Sequence, residues 1–343
     1  MSSTAGKTPA ISVLDLVGMR PDGTSGEAIA RSVQLAQHVE KLGYRRFWLA
    51  EHHSIGGLAC SATAVLIGHV AGATESIRVG SGGVMLPNHA PLIVAEQFGT
   101  LESIYPGRID LGLGRAPGSD GATMRALRRD LRSTGEDFPE LLAELQRYLG
   151  PEQPGQLVKA IPGQGTNVPI TLLGSSGYSA QLAGVLGLPF AFAAHFAPDY
   201  LLPAIHLYRQ NFRPSQVLSK PHVMVAVPII AAETDTEARR LLTTPQQRFL
   251  ALIRNQPVEL KPPVDDMESL WNPVEKEAVE GRLRQAIVGS RETVQRGMEA
   301  LVEQTGADEI FVVTDAYQQA DRLRSYAIVA EVINAMRSEL VAK

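Results

Sequence analysis

The chain has 343 residues, 44% of them apolar, and a net charge of −4 with both signs scattered along it. That length and apolar share suit one large core, and the weak, mixed charge speaks against a nucleic-acid surface or a polybasic membrane anchor. The single cysteine, Cys60, excludes an internal disulfide and a multi-cysteine zinc site, and there is no run of about 18 apolar residues to span a membrane. Residues 1–10 are small and polar with no apolar signal core, so a cytoplasmic protein without a metal is expected.

In chain order, strands are predicted near Ile11–Leu16, Arg46–Ala50, Ile77–Ser81, Ile109–Leu113, Ile170–Leu173, Phe190–Ala193, Val223–Ile230 and Glu309–Thr314. Most are short apolar runs, the pattern of strands buried on both faces. Helical patterns lie between them. The clearest is Glu27–Leu42: Thr24 and Glu27 form a capping box, Ile29, Val33, Ala36 and Val39 share a face, and Gly43 stops it. Pro91 opens a helix to about Ile104. Further helices are read at Ser179–Leu186, Tyr200–Arg209 and about Ala320–Arg337. Eight strands alternating with helices predict a parallel α/β sheet, and eight is the number that closes a (β/α)8 TIM barrel. A doubly wound open sheet is the alternative. Two segments break the rhythm: Pro151–Pro169, rich in proline and glycine, and Gln256–Gly281, an extended loop between the seventh and eighth strands, suited to a lid. No internal repeat appears, and the chain reads as one domain, 1–343.

Barrel chemistry sits at the C-terminal ends of strands, and polar and glycine residues gather there. The second strand ends in Glu51-His52-His53, and the third in Gly82-Gly83 followed by Met85 and His89. The fourth ends in Gly112, Gly114 and Arg115, the fifth in Gly174-Ser175-Ser176, with Ser179 beyond, and the sixth in His195. Glycines let a backbone approach a ligand, Arg115 can fork onto a phosphate, and hydroxyls with free N–H groups at a helix start bind anions. Two such turns suggest one phosphorylated cofactor held between them. Arg115 could instead pair with Asp110 or Asp120. Gly112, Gly114 and Gly118 have the wrong spacing for a dinucleotide fingerprint. His38, His69, His206 and His222 fall in helical patterns or before a strand and read as structural.

Four segments together, in order, resemble the bacterial luciferase-like family of flavin-dependent monooxygenases. They are Glu51-His52-His53, the run from Arg78 to Pro87, the run from Gly107 to Arg115, and Val288-Gly289-Ser290 before Thr293. The long loop, with Leu260-Lys261-Pro262-Pro263 and Asp265-Asp266-Met267, is similar to the single-component branch that resembles the alkanal monooxygenase alpha chain. The resemblance implies FMN, with Arg115, Gly174, Ser175, Ser176 and Ser179 at its phosphate. It implies a non-proline cis peptide at Gly82–Gly83 beneath the ring, His52 as the catalytic histidine, and His53 and His195 toward the substrate. It further implies reduced FMN from a separate flavin reductase, O2 as co-substrate, oxygenation of a small organic molecule through a flavin hydroperoxide, and a homodimer. Bacterial luciferases carry a reactive cysteine just before the phosphate arginine; here that position is Gly114, which departs from the light-emitting members. An F420-dependent hydride-transfer enzyme on the same barrel and a non-catalytic flavin-binding protein are the rival readings.

Overall fold

The structure, a computed structural model, describes residues 8–115, 121–127 and 135–341. Gly118 and Asp120 therefore lie outside the described residues. The strands are β1 (Ala10–Asp15), β2 (Arg46–Leu49), β3 (Arg78–Met85), β4 (Ile109–Gly114), β5 (Ile170–Gly174), β6 (Phe190–Ala193), β7 (Val223–Ala231), β8 (Ile287–Gly289) and β9 (Glu309–Val313). The helices are α1 (Ser25–Lys41), α2 (Thr63–Gly72), α3 (Pro91–Ile104), α4 (Gly121–Ala126), α5 (Phe138–Leu149), α6 (Gly177–Leu186), α7 (Leu201–Asn211), α8 (Asp235–Ile253), α9 (Pro273–Arg282), α10 (Arg291–Thr305) and α11 (Gln319–Val341).

All strand pairings in the sheet are parallel, β1 through β7 are neighbours in order, and β9 joins β7 to β1. The sheet is thus a closed eight-stranded barrel, and the open alternative is excluded. β8 is a ninth strand outside the ring, paired only to the end of β7. It is three residues long, too short for a periodic signal, and it was not predicted.

The capping box is present: Thr24 Oγ1 accepts from Glu27 N at 3.2 Å, and Glu27 Oε2 accepts from Thr24 N at 2.8 Å. The inward face of α1 is Ala28, Ser32, Leu35, Ala36 and Val39, one step from the predicted stripe, with Ile29 and Val33 only partly covered. Pro91 starts α3 as expected.

The lower barrel interior is ionic. Arg46 of β2 donates from Nε to Glu309 Oε1 at 3.0 Å and from Nη1 to Asp110 Oδ2 at 2.6 Å. Trp48 Nε1 and Arg78 also donate to Asp110, and Ser12 Oγ donates to Glu309 at 2.5 Å. Burial works against the Arg46 charge, but Glu309 and Asp110 outweigh it and raise its pKa. These bonds use the carboxylate of Asp110, so it is not the partner of Arg115. Above this layer the interior is apolar and aromatic, with the Trp48 and Phe311 rings 4.4 Å apart and tilted 34° to each other.

Gln256–Gly281 is not a bare loop. Its second half is α9, opened by a capping box between Asn272 and Glu275. Its first half is pinned: Val258 N donates to Gly56 O at 2.8 Å and Leu260 N to Met19 O at 2.7 Å. Val258, Leu260 and Met267 are buried. Val258 and Leu260, apolar residues two apart between Pro257 and Pro262, were the missed signal.

Candidate active site

β3 and β4 change register between Ser81 and Val84, and the peptide Gly82–Gly83 in that step is cis, as expected. A Cβ on Gly112 would lie 2.2 Å from Ser81 O, and one on Gly83 would lie 2.8 Å from Gly112 O. Only side-chain-free residues allow this approach, and the product is a shelf of bare backbone at the barrel mouth. Met85 fills the space beside Gly114, where a Cβ would come 2.9 Å from its Sδ.

Two turns flank the shelf. Arg115 follows β4, and its guanidinium sits 4.1 Å from the centroid of the Tyr178 ring. Ser175 and Ser176 follow β5. Ser176 is the N-cap of α6, yet its side chain makes no capping bond, so the first N–H groups of that helix keep their donor capacity toward a ligand. Ser179, one turn in, packs against Gly174, where a Cβ would meet Ser179 Cβ at 2.7 Å.

A cavity of about 560 Å³ opens between these parts, lined by His52, Gly82, Gly83, Arg115, Gly174, Ser175, Ser176, Ser179 and His195. The fold therefore brings together every predicted site residue except one. His53 is not in the lining. Its Nε2 lies 2.7 Å from Glu51 Oε1, and His89 Nε2 lies 2.8 Å from the same oxygen, while Met85 N donates to Glu51 Oε2 at 3.2 Å. His53 thus bonds within its own turn, while Glu51, through His89 and Met85, ties the turn after β2 to the turn after β3. Burial opposes ionisation of Glu51, but the two imidazoles hold its pKa down. The donor atoms of Glu51, His53 and His89 lie close enough to hold a metal ion, but each already takes part in this hydrogen-bonded set.

His52 and His195 differ from them. The Nδ1 of each is buried without a hydrogen-bond partner. Burial, then the Arg248 charge, pushes His52 down to about 4. Burial likewise takes His195 down to about 4, against the opposing pull of Ala226 and Asp315. Both imidazoles are neutral at ordinary pH. Cys60, although near, is a buried thiol pushed up to about 12 by desolvation, which makes it inert.

Four lining residues of α8 were missed. Pro245, Arg248, Phe249 and Leu252 line the cavity at the i, i+3, i+4, i+7 spacing of one helix face, so α8 lies across the mouth. Arg248, 7% exposed, bonds Asp315 Oδ2 at 2.5 Å. A charged residue inside an apolar helical stripe was the signal available in the sequence; its partner, 67 residues away, had none.

The residues fit a flavin mononucleotide: a phosphate-sized set of donors at Arg115 and the start of α6, then a flat backbone shelf, within a mainly apolar chamber. A closed parallel barrel with an anion cradle after β4 and β5 and a chamber at its C-terminal mouth defines a barrel oxidoreductase of the flavin-binding kind. The profile of the luciferase-like monooxygenases matches residues 10–327, and the chain belongs to that family. It is 50% identical over 327 residues to a luciferase-like monooxygenase of Escherichia coli strain K12, covering 95% of this chain and 97% of the relative. The crystal structure of apo-MsnO8 superposes with a TM-score of 0.88 at 35% identity, covering 95% and 98% of the two chains. Two more distant structures share the fold. One is the oxygenating constituent of 3,6-diketocamphane monooxygenase from Pseudomonas putida in complex with FMN, with a TM-score of 0.71 at 20% identity over 95% and 97% of the two chains. The other is an F420-dependent secondary alcohol dehydrogenase, at 0.72 and 17% over 96% and 100%.

Proposed function

We propose that this protein is an FMN-dependent monooxygenase that takes reduced FMN from a separate reductase and uses O2 to oxygenate a small organic substrate. The observation that carries this reading is the convergence of two anion-competent turns, after β4 and β5, on one chamber floored by Gly82–Gly83. Bound reduced flavin supplies the oxygen-activating chemistry.

The chain's own residues do the rest. Arg115, Ser175, Ser176, Ser179 and the open start of α6 hold the phosphate. The Gly82–Gly83 shelf lets a flat ring lie against backbone. His52, neutral and unpartnered at Nδ1, accepts a proton there. Glu51, through His89 and Met85, keeps the two turns that carry His52 and the shelf in fixed relation. Val258, Leu252 and Leu283 close the apolar side of the chamber and exclude water, which would otherwise divert the oxidising equivalents to peroxide. Homodimer assembly is part of the proposal, and sedimentation velocity tests it.

The F420 reading is supported by the second distant fold relative. Titrating the protein with FMN and with F420, then mixing the reduced complexes with O2, separates the readings. Tight FMN binding with O2 consumption and substrate oxygenation is the expected result. Preference for F420 with no O2 uptake overturns the monooxygenase reading, and flavin binding without turnover of any substrate leaves a binding protein.

A further inference from the structure

The chamber has one feature that flavin binding does not use. Among the lining residues of α8, Arg248 is the only charged one, set between Pro245, Phe249 and Leu252. A guanidinium at 7% exposure is costly to desolvate unless its donors are met. Asp315, just beyond β9, meets one: it accepts from Nη1 at 2.5 Å. Among the described residues, no protein group accepts from Nε or Nη2 of Arg248. Two neutral imidazoles stand near it: His52, depressed by burial and then by the Arg248 charge, and His195, depressed by burial, where Asp315 pulls upward more strongly than Arg248 pulls down. The α8 side of the chamber is therefore a half-satisfied fork, its Nη1 held by Asp315, beside two neutral imidazoles and the apolar side chains of Pro245, Phe249 and Leu252.

Substrate chemistry follows from what this wall tolerates. A purely apolar substrate would drive water off Nε–H and Nη2–H and leave both unpaired. An ammonium head would meet a like charge. A neutral carbonyl presents one oxygen to a fork with two open donors. A carboxylate presents two oxygens in the matching plane and gains charge-assisted bonds to both.

We propose that Arg248 is the specificity-determining residue of this chamber and that its substrates are small organic acids, the carboxylate taking Nε and Nη2 while the apolar remainder lies along Phe249 and Leu252. This rests on the reading of the rest of the chamber as the flavin site.

Calorimetry on the FMN-saturated protein tests it, with hexanoate, methyl hexanoate and hexylamine as probes. Hexanoate is expected to bind at least about tenfold more tightly than its methyl ester, the size of a charge-assisted pair. Arg248→Met should weaken hexanoate by about ten- to a hundredfold and move methyl hexanoate little. It should also strengthen hexylamine, because Asp315 is then left unpaired. That unpaired carboxylate could prevent folding, so Arg248→Met/Asp315→Asn is made as well; it removes both charges and should abolish the hexanoate preference without creating one for the amine. A residue that merely pins α8 to the rim would lower all three probes together. Equal binding of acid and ester to the parent protein, no binding of any probe, or survival of the acid preference in either variant overturns the proposal. An FMN titration in the same samples separates the two readings: acid selectivity without FMN affinity sinks the flavin site and leaves Arg248, whereas FMN affinity without acid selectivity sinks Arg248 alone.

Discussion

The Arg115 guanidinium lies over the Tyr178 ring, 4.1 Å from its centroid, so the turn after β4 and the first turn of α6 meet through one cation–π contact. The arginine is thereby aimed along the start of α6, where Ser176 leaves the helix N–H groups uncapped. If both turns hold one phosphate, Arg115→Ala should weaken FMN by about ten- to a hundredfold, the loss of a charge-assisted contact of about 1.5–3 kcal/mol. Riboflavin, which lacks the phosphate, should change little. Equal losses for both ligands in a fluorescence titration would remove Arg115 from the phosphate site. Tyr178→Leu should show a smaller loss with the same selectivity.

His52 is depressed to about 4 by burial and by Arg248, so in the proposed reaction its neutral form takes the proton. The expected pH profile of single-turnover product yield is flat through neutrality, with an acid limb near pH 4 and none near 6.5, the ordinary imidazole value. His52→Ala should lower the yield by about a hundredfold and leave FMN affinity nearly intact. A wild-type yield in the variant would move the role to His195, whose Nδ1 is also unpartnered.

The same depression makes folding acid-sensitive. Unfolded, His52 and His195 titrate near 6.5; folded, both sit at about 4. Between those values the unfolded chain binds more protons, so stability rises with pH and is lost as pH falls from about 6.5 toward 4. Thermal unfolding between pH 7 and 4.5 should therefore show a falling Tm. His52→Gln/His195→Gln should flatten that slope. A slope unchanged by the double variant would show that other groups cause it.

The segment before α9 is held by Val258, Leu260 and Met267, all buried, so its role as a shield and its role in stability are separable only with small changes. Val258→Ala widens the chamber wall and should raise the peroxide released per reduced FMN consumed, with a modest stability cost of about 1–2 kcal/mol. Replacing Lys261–Trp271 with a glycine-serine link should be more costly to stability, because it removes Met267. An unchanged peroxide ratio in Val258→Ala would show that this side of the chamber is not the water barrier.

Arg46 bonds two buried carboxylates, Glu309 and Asp110, and Arg78 supplies a second positive charge to Asp110. Arg46→Met leaves Glu309, which is fully buried, without its main counter-charge. The expected cost is about 3–5 kcal/mol, read as a lower denaturation midpoint in urea at pH 7. A loss below about 1 kcal/mol would mean that Arg45, 4.0 Å from Glu309, and Arg78, bonded to Asp110, compensate.

Much of this protein was legible along the chain because the signals were local. Most of the eight barrel strands were short apolar runs, Thr24 and Glu27 announced α1, and Glu51-His52-His53, Gly82-Gly83, Arg115 and Gly174-Ser175-Ser176 stood at strand ends, where barrel chemistry collects. Less legible were β8, three residues off the ring, and α8, whose face serves the chamber mouth as well as the core, so its periodicity carries Arg248 and Pro245 among apolar residues.

Local patterns thus determined the α/β alternation, the residues at the strand ends and the anion-binding turns, since each rests on backbone propensity or spacing within a few positions. Tertiary structure alone decided the rest. Pairing of β9 with β1 closed the sheet, a choice between residues nearly 300 positions apart. It also separated the adjacent histidines, sending His52 into the chamber and His53 to Glu51, and it brought Arg248 onto Asp315. Arg248 and Asp315, 67 positions apart, and His89 and Glu51, 38 apart, meet because the fold places them in one low-dielectric space, where an unmet charge is costly and a met one is kept, and no short window along the chain contains either pair.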